Sequence, residues 1–508
     1  MREQGQSAWV AFIDLVKAFD SVDREAMCDV LLRYGAPETL VRVISAVHEK
    51  VIVVLKSGDA EVKFDSTLGV IQGAAASPTL FLFMIAAWLE TADWKGDAIV
   101  MKTSSHRNDT RPRESIASDV RRKGRFLSYL LLTERKRSRP LSELSIRDFL
   151  YADDAALVFP SRQAMQEGLT SLIASGKRWG LEVHAATSSD GKSKTEFMVV
   201  RPPPGHVNRP ASFDASPVKV GENLYITLAK SKIGGEVYEN CFKYLGSFID
   251  GELADDLDVR NRIDGASVAF GRFRKSIFRN KRLCVAARVK AFRAFVLSIL
   301  FYQSECWALT NKLRETICKF YNRCVRSMAG ITPKEQRWRR ITTLELTERL
   351  GLTPCEAELD RRCLSWLGHV ARMKHDRLVR QMLWAHLPVG LMRNGRQQLT
   401  IRERVDKIVK DLAASVWIRD DSREPELRRF STFHRLGWVG CAQDRDLWRS
   451  LIQDHMDCLS DRSVRPARFL SRRDGMRFNV IASVALQPEV NPEAAEGLQP
   501  LQEHIQGN

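Results

Sequence analysis

The chain has 508 residues, enough for about two to four domains. Lys and Arg number 79 against 62 Asp and Glu, a net charge of +17, which suits a polyanionic partner and equally an ordinary basic protein. The longest apolar run without a charge, Leu80 to Leu89, is too short to span a bilayer. Met1 to Gln6 has no apolar core of a signal peptide, and the ten cysteines contain no CxxC pair. The expectation is a protein that is not secreted, nuclear or cytoplasmic, in a reducing compartment.

In chain order, Trp9-Val10-Ala11-Phe12-Ile13 reads as a buried strand with Asp14 at its end. Asp20, Ser21 or Asp23 can cap the helix that follows, Arg24 to Tyr34, which Gly35 and Pro37 stop. Val51 to Leu55 and Glu61 to Phe64 flank Ser57-Gly58-Asp59, a hairpin signal. Ser77 is read as the cap of a helix with Pro78 at its first position, running Thr79 to Thr91. Residues 94–146 form a basic, polar insertion with a short apolar centre at Phe126 to Leu132. Residues 101–140 hold twelve Lys and Arg against four acids. Phe149 to Phe159 reads as strand, tight turn, strand, with Asp153 and Asp154 at the bend. A helix near Ser161 to Trp179 follows, then a strand from Lys194 to Val200. Arg201 to Asp214 is a Pro-rich loop.

Residues 260–282 hold eight Lys and Arg and one acid, Asp264, interleaved with Ile263, Ala266, Val268, Phe270 and Phe273. That spacing predicts a helix with one packed face and one basic face. It suits a duplex backbone and equally a solvated surface. Residues 331–455 are helical and rich in Trp and Arg, and the Pro/Glu/Gln-rich tail after Leu486 is expected to be disordered. Cys355, Cys363, His369 and His375 have no finger spacing, so no zinc site is expected there. No internal repeat is found.

The carboxylates carry the chemistry. An Asp-Asp pair between two apolar runs serves a solvated turn or a cation that offsets the cost of charge beside a core. Mg²⁺ takes one or two protein carboxylates and completes its shell with water and phosphate. Asp14 stands too far before its helix to cap it. A lone Asp at a strand end beside an Asp-Asp hairpin is what a two-metal site needs.

Phe12-Ile-Asp-Leu-Val-Lys-Ala-Phe-Asp-Ser-Val-Asp-Arg24 and Phe149-Leu-Tyr-Ala-Asp-Asp154 resemble the first and third palm motifs of reverse transcriptases of non-LTR retrotransposons. Leu68 to Pro78, with Gln72-Gly73, resembles the second. Phe242-Lys-Tyr-Leu-Gly-Ser247 is similar to their primer-grip hairpin. Trp366 to Met373 and Asp444 to Arg449 are similar to segments after the thumb. The motifs occur in the family's order over roughly residues 8 to 450.

The resemblance implies an α+β fold: a palm with a small antiparallel sheet and helices, then a helical thumb and a helical C-terminal extension. The implied layout is 1–200 partial fingers and palm, 201–235 a Pro-rich loop, 236–330 primer grip and thumb, 331–460 the extension, and 461–508 a mostly disordered tail. The implied activity is RNA-directed DNA polymerisation. It would use two Mg²⁺ (or Mn²⁺) ions, deoxynucleoside triphosphates, an RNA template and a DNA primer, and no membrane. Asp14, Asp153 and Asp154 are the implied metal and catalytic carboxylates, with Asp154 tuning the site. Lys194 is the implied proton donor to pyrophosphate. Phe19 would sit under the incoming sugar, with Gln72 and Gly73 near the template base and nucleotide.

Three features depart from that pattern. Ala74-Ala75-Ala76 replaces the usual residues after Gln-Gly, an insertion rich in Ser, Thr and Gly precedes Lys194, and only thirteen residues precede Asp14. The expectation is therefore a fragment without fingers or endonuclease domain, weakly active or inactive alone. The alternative is a non-catalytic nucleic-acid-binding remnant. A metal-dependent nuclease is disfavoured, because no His or Lys general base lies close in sequence to the Asp-Asp hairpin.

Overall fold

The computed structural model describes residues 5–58, 60–92, 99–104, 140–146, 148–151, 154–374, 376–384, 401–419 and 437–460. Asp153, His375, the apolar centre at Phe126 to Leu132 and the tail beyond 460 lie outside them. The described residues divide into two compact units: one of sheet and helix within 1–104, 140–355 and 374–404, and one whose described elements are helices, within 356–373 and 405–508.

The first unit is built on a six-stranded sheet. Its strands are β1 (Ala8–Ile13), β6 (Asp148–Tyr151), β7 (Asp154–Phe159), β8 (Glu196–Val200), β9 (Val218–Lys219) and β10 (Tyr225–Leu228), in the order β6-β7-β1-β8-β10-β9. β1 pairs antiparallel with both β7 and β8, and only β8 with β10 is parallel. Alternation along β1 sends Trp9, Ala11 and Ile13 to one face. There they meet Leu157, Phe159 and Phe197 and three helices: α1 (Arg24–Arg33), α3 (Ser77–Thr91) and α4 (Arg162–Gly176). Phe81, Met84, Trp88, Met165 and Leu169 are fully or almost fully buried in this core. The opposite face, with Phe12, Ala156 and Met198, is covered by a hairpin of β13 (Cys241–Tyr244) and β14 (Ser247–Asp250).

Most of the expected elements are present. Asp23 caps α1 by accepting from the Ala26 N–H, and Ser161 caps α4 by accepting from the Ala164 N–H. The hairpin at Gly58 forms between β2 (Val51–Ser57) and β3 (Ala60–Ser66). α2 (Glu38–Glu49) lies between α1 and that hairpin in sequence. β4 (Ile99–Ser104) pairs with β5 (Pro140–Ile146), so the two ends of the basic insertion are zipped together.

Other readings need correction. Ser77 does not cap α3: Ala76 holds the cap position, and the Ser77 hydroxyl instead donates to the Ile71 carbonyl at 2.6 Å. The Lys194–Val200 strand starts two residues late, at Glu196. Residues 201–235 are not all loop, because β9, β10 and β11 (Lys230–Ile233) lie within them, and β11 pairs with β12 (Glu236–Glu239). These strands are two to four residues long, too short for a period-2 pattern to stand out.

α5 (Asp256–Phe273) leads into a π-helical turn, Arg274–Phe278. α6 (Val285–Phe292), α7 (Asn311–Ala329), α8 (Pro333–Trp338) and α9 (Thr343–Arg349) follow in the same unit. In the second unit, the helix Cys355–Arg372 meets Arg445–Ser460. A Cβ on Gly368 would collide with the Trp448 indole nitrogen, and that indole donates to the Leu364 carbonyl at 2.9 Å. The Arg372 guanidinium donates to the Ala442 carbonyl at 2.7 Å. The segments Trp366 to Met373 and Asp444 to Arg449 therefore pack on each other.

Candidate active site

Asp14 is fixed through its main chain. Its N–H donates to the Thr195 hydroxyl at 3.1 Å, and its carbonyl accepts from the His184 N–H at 2.8 Å. Thr195 is fully buried, so the end of β1 is anchored while the carboxylate is left accessible. In the sheet, Ile13 stands opposite Ala155 and Phe12 opposite Glu196. Continuing those registers, Asp14 falls opposite Asp154 on one side and opposite Lys194 on the other. The Lys194 ammonium lies 3.7 Å from the Asp14 carboxylate. Asp14 shares the face of Phe12, two residues before it, and Asp154 shares that of Ala156. Asp153 lies outside the described residues.

The β13–β14 hairpin closes over this face. Phe12 stacks on Phe242, with ring centroids 3.8 Å apart, and Tyr244 lies 5.5 Å from Phe12. Burial raises the Tyr244 phenol pKa, and the negative charge of Asp154 adds to the rise. Glu196, across β1 from Phe12, has its carboxyl pushed up to about 7 by burial, opposed by a hydrogen bond from the Lys230 backbone N–H. Sequence reasoning missed Tyr244 and Glu196 as site residues. The signal that could have found Glu196 is an acid placed inside the apolar strand Glu196-Phe-Met-Val-Val.

A second cluster brings Phe19 and Gln72 together. Val70 donates to the Phe19 carbonyl at 2.8 Å, and the Gln72 amide donates to the Asp20 carboxylate at 2.8 Å. Asp20 is thus a partner of the loop rather than a helix cap. The Phe19 ring packs on Phe81 with centroids 4.9 Å apart. Close backbone approach belongs to Gly69, where a Cβ would sit 2.8 Å from the Asp20 Cα. Gly73 faces open space and is suited to its φ of +85° instead.

Arg24 holds this loop in place. It donates to the carbonyls of Gly69 (2.8 Å), His48 (2.6 Å), Ser66 (2.7 Å) and Leu68 (3.0 Å). Sequence reasoning missed that role too, because a lone Arg after a cap looks solvated.

The basic segment is divided differently from the expectation. Ala266 and Phe270 are buried, but Val268 is 73% exposed. Arg262 is not on the free face. It donates to the Gly246 carbonyl and the Ser247 hydroxyl, pairs with buried Asp258 at 3.5 Å and stacks over Tyr302. Arg260 pairs with Glu236. Arg272, Arg274, Lys275, Arg279, Lys281 and Arg282 remain on the surface.

The second unit holds Ser415, His455 and Asp360 in series, at 2.8 Å and 3.3 Å. All three are buried, which makes this an internal polar network beyond the reach of substrate. Cys363 is likewise fully buried.

Among the described residues, no three His, Cys, Asp or Glu side chains gather around a common point. Asp14 and Asp154 by themselves offer hard oxygen donors on one accessible face. That is the donor type a divalent cation takes when water and phosphate complete its shell. Among the described residues, no helix is long and apolar enough to cross a membrane.

No family model matches the chain. It is 26% identical over 235 residues to an uncharacterized transposon-derived protein of Caenorhabditis elegans, an alignment that covers 46% of this chain and 74% of that relative. A transposon origin for this chain fits that similarity.

Proposed function

We propose that this chain is the polymerase part of a transposon-encoded reverse transcriptase, an RNA-directed DNA polymerase acting on a primer 3′-hydroxyl. The observation that carries the reading is the placement of Asp14 opposite Asp154 on one face, with Lys194 at the Asp14 carboxylate. Asp14, Asp153 and Asp154 would hold Mg²⁺ or Mn²⁺, which when bound activates the attacking hydroxyl and offsets charge on the leaving pyrophosphate. The chain's own residues supply the rest. Thr195 and His184 fix the Asp14 backbone, and Lys194 offers a proton and a positive charge beside it. Phe19, packed on Phe81, would lie under the incoming sugar, and Gln72 and Gly73 would lie near the template base and the nucleotide.

Primer extension on an RNA template tests this, using the chain alone and joined to a fingers segment of the same class of element. Extension should fall more than about a hundredfold in Asp14→Ala and Asp153→Ala, since each removes a direct ligand. Extension surviving Asp153→Ala would overturn the assignment. Duplex binding with no extension in either metal would favour the non-catalytic remnant.

A further inference from the structure

The sequence Arg337-Trp338-Arg339-Arg340 closes α8, and all four residues are exposed. Trp338 is 82% exposed, whereas Trp9, Trp88, Trp307, Trp438 and Trp448 are buried. An indole in water forgoes the burial that normally holds it inside, about 150–250 Å² of surface. The mount beneath it is fixed. Thr332 and Glu335 form a reciprocal capping box, and Arg339 and Arg340 donate their backbone N–H groups to the carbonyls of Glu335 and Arg337. Arg340 adopts φ of +50°, a conformation costly for a residue with a side chain. The turn is thus held tightly, with its largest apolar group outside.

Charge identifies the occupant. Residues 332–341 carry Lys334, Arg337, Arg339 and Arg340 against one acid, Glu335. That acid is engaged by Arg339 at 2.8 Å. An exposed aromatic face in a cationic segment fits an unpaired base with its flanking phosphates. Base stacking on aromatic side chains tolerates any sequence, and Arg and Lys track the backbone. A duplex offers its base faces only at its ends, so it fits poorly.

We propose that Trp338, with Arg337 and Arg340, is a stacking site for single-stranded nucleic acid, separate from the carboxylate site. The assignment extends the nucleic-acid reading above but does not require polymerase activity.

The test uses the full chain, a single-stranded oligonucleotide and a blunt duplex. Trp338→Ala should weaken single-strand binding about 5- to 150-fold, the range that stacking of one base supports. Trp338→Phe should keep most of the affinity, and duplex binding should change less than about twofold, since a duplex hides its base faces. A 5-bromouridine oligonucleotide should photo-crosslink at Trp338. Single-strand binding and the crosslink should persist in EDTA, where the carboxylate site can hold no divalent ion, which separates this site from the polymerase assignment. Equal single-strand affinity of Trp338→Ala and the parent chain would overturn the proposal. So would crosslinks that map elsewhere, or absence of single-strand binding by the parent. Self-association that disappears in Trp338→Ala, with single-strand binding intact, would reassign the patch to a protein–protein surface.

Discussion

Glu196 shows how one side chain links packing to pH. Its carboxyl is raised from 4.5 to about 7 because burial penalises the charged form. Between those values the folded protein holds a proton that the unfolded chain has released, so stability falls as pH rises through this window and stays reduced above it. Glu196→Gln keeps an acceptor for the Lys230 N–H and removes the titration. Urea unfolding at about pH 5 and about pH 8, either side of the raised value, should show the parent losing stability between the two and the variant losing less. An identical loss in both would mean that Glu196 is already charged at the lower pH. The neighbouring Asp14 is of the opposite kind, accessible and paired with Lys194 at 3.7 Å. An exposed pair of this sort contributes at most about 1 kcal/mol, so Lys194 can leave Asp14 readily.

At the scale of elements, glycine decides how closely two helices approach. Gly368 lies directly under the Trp448 ring, so Gly368→Ala cannot be absorbed by a flexible side-chain end. Overpacking of this kind costs about 1–3 kcal/mol. The penalty should appear as a lowered unfolding midpoint with near-ultraviolet circular dichroism reporting a displaced indole. Trp448→Phe in the same background should recover part of it. An unchanged midpoint would show that the two helices slide apart freely. Much at this scale was legible in the sequence. The Asp23 cap, the helix near Ser161, the Gly58 hairpin and the buried strand β1 rest on local rules. Ser77 was not legible, because its hydroxyl found the Ile71 carbonyl six residues earlier. Arg262 was misread for the same reason: its partners include the turn of the β13–β14 hairpin.

At the scale of the molecule, an excess of 17 positive charges matters only where it is free. Arg272, Arg274 and Lys275 lie on the surface, whereas Arg260 and Arg262 are committed within the protein. Replacing the three by Ala should weaken duplex binding alike for all sequences. It should also reduce the slope of log affinity against log salt by about 0.9 for each phosphate no longer neutralised. An unchanged slope would place the duplex elsewhere.

The sequence by itself determined the strand that ends at Asp14, the extent of α1 and the order of the carboxylate segments. Caps, turns and hydrophobic period act over a few residues. Only the tertiary structure decided which of these segments touch. β1 pairs with β7 although α1, α3 and the whole basic insertion lie between them in sequence, and that register places Asp14 opposite Asp154. Gln72 reaches Asp20, Arg24 gathers four carbonyls, and Trp338 is left in solvent. Such pairings depend on loop closure and on which surfaces remain unburied after the core has formed, and no local pattern encodes either.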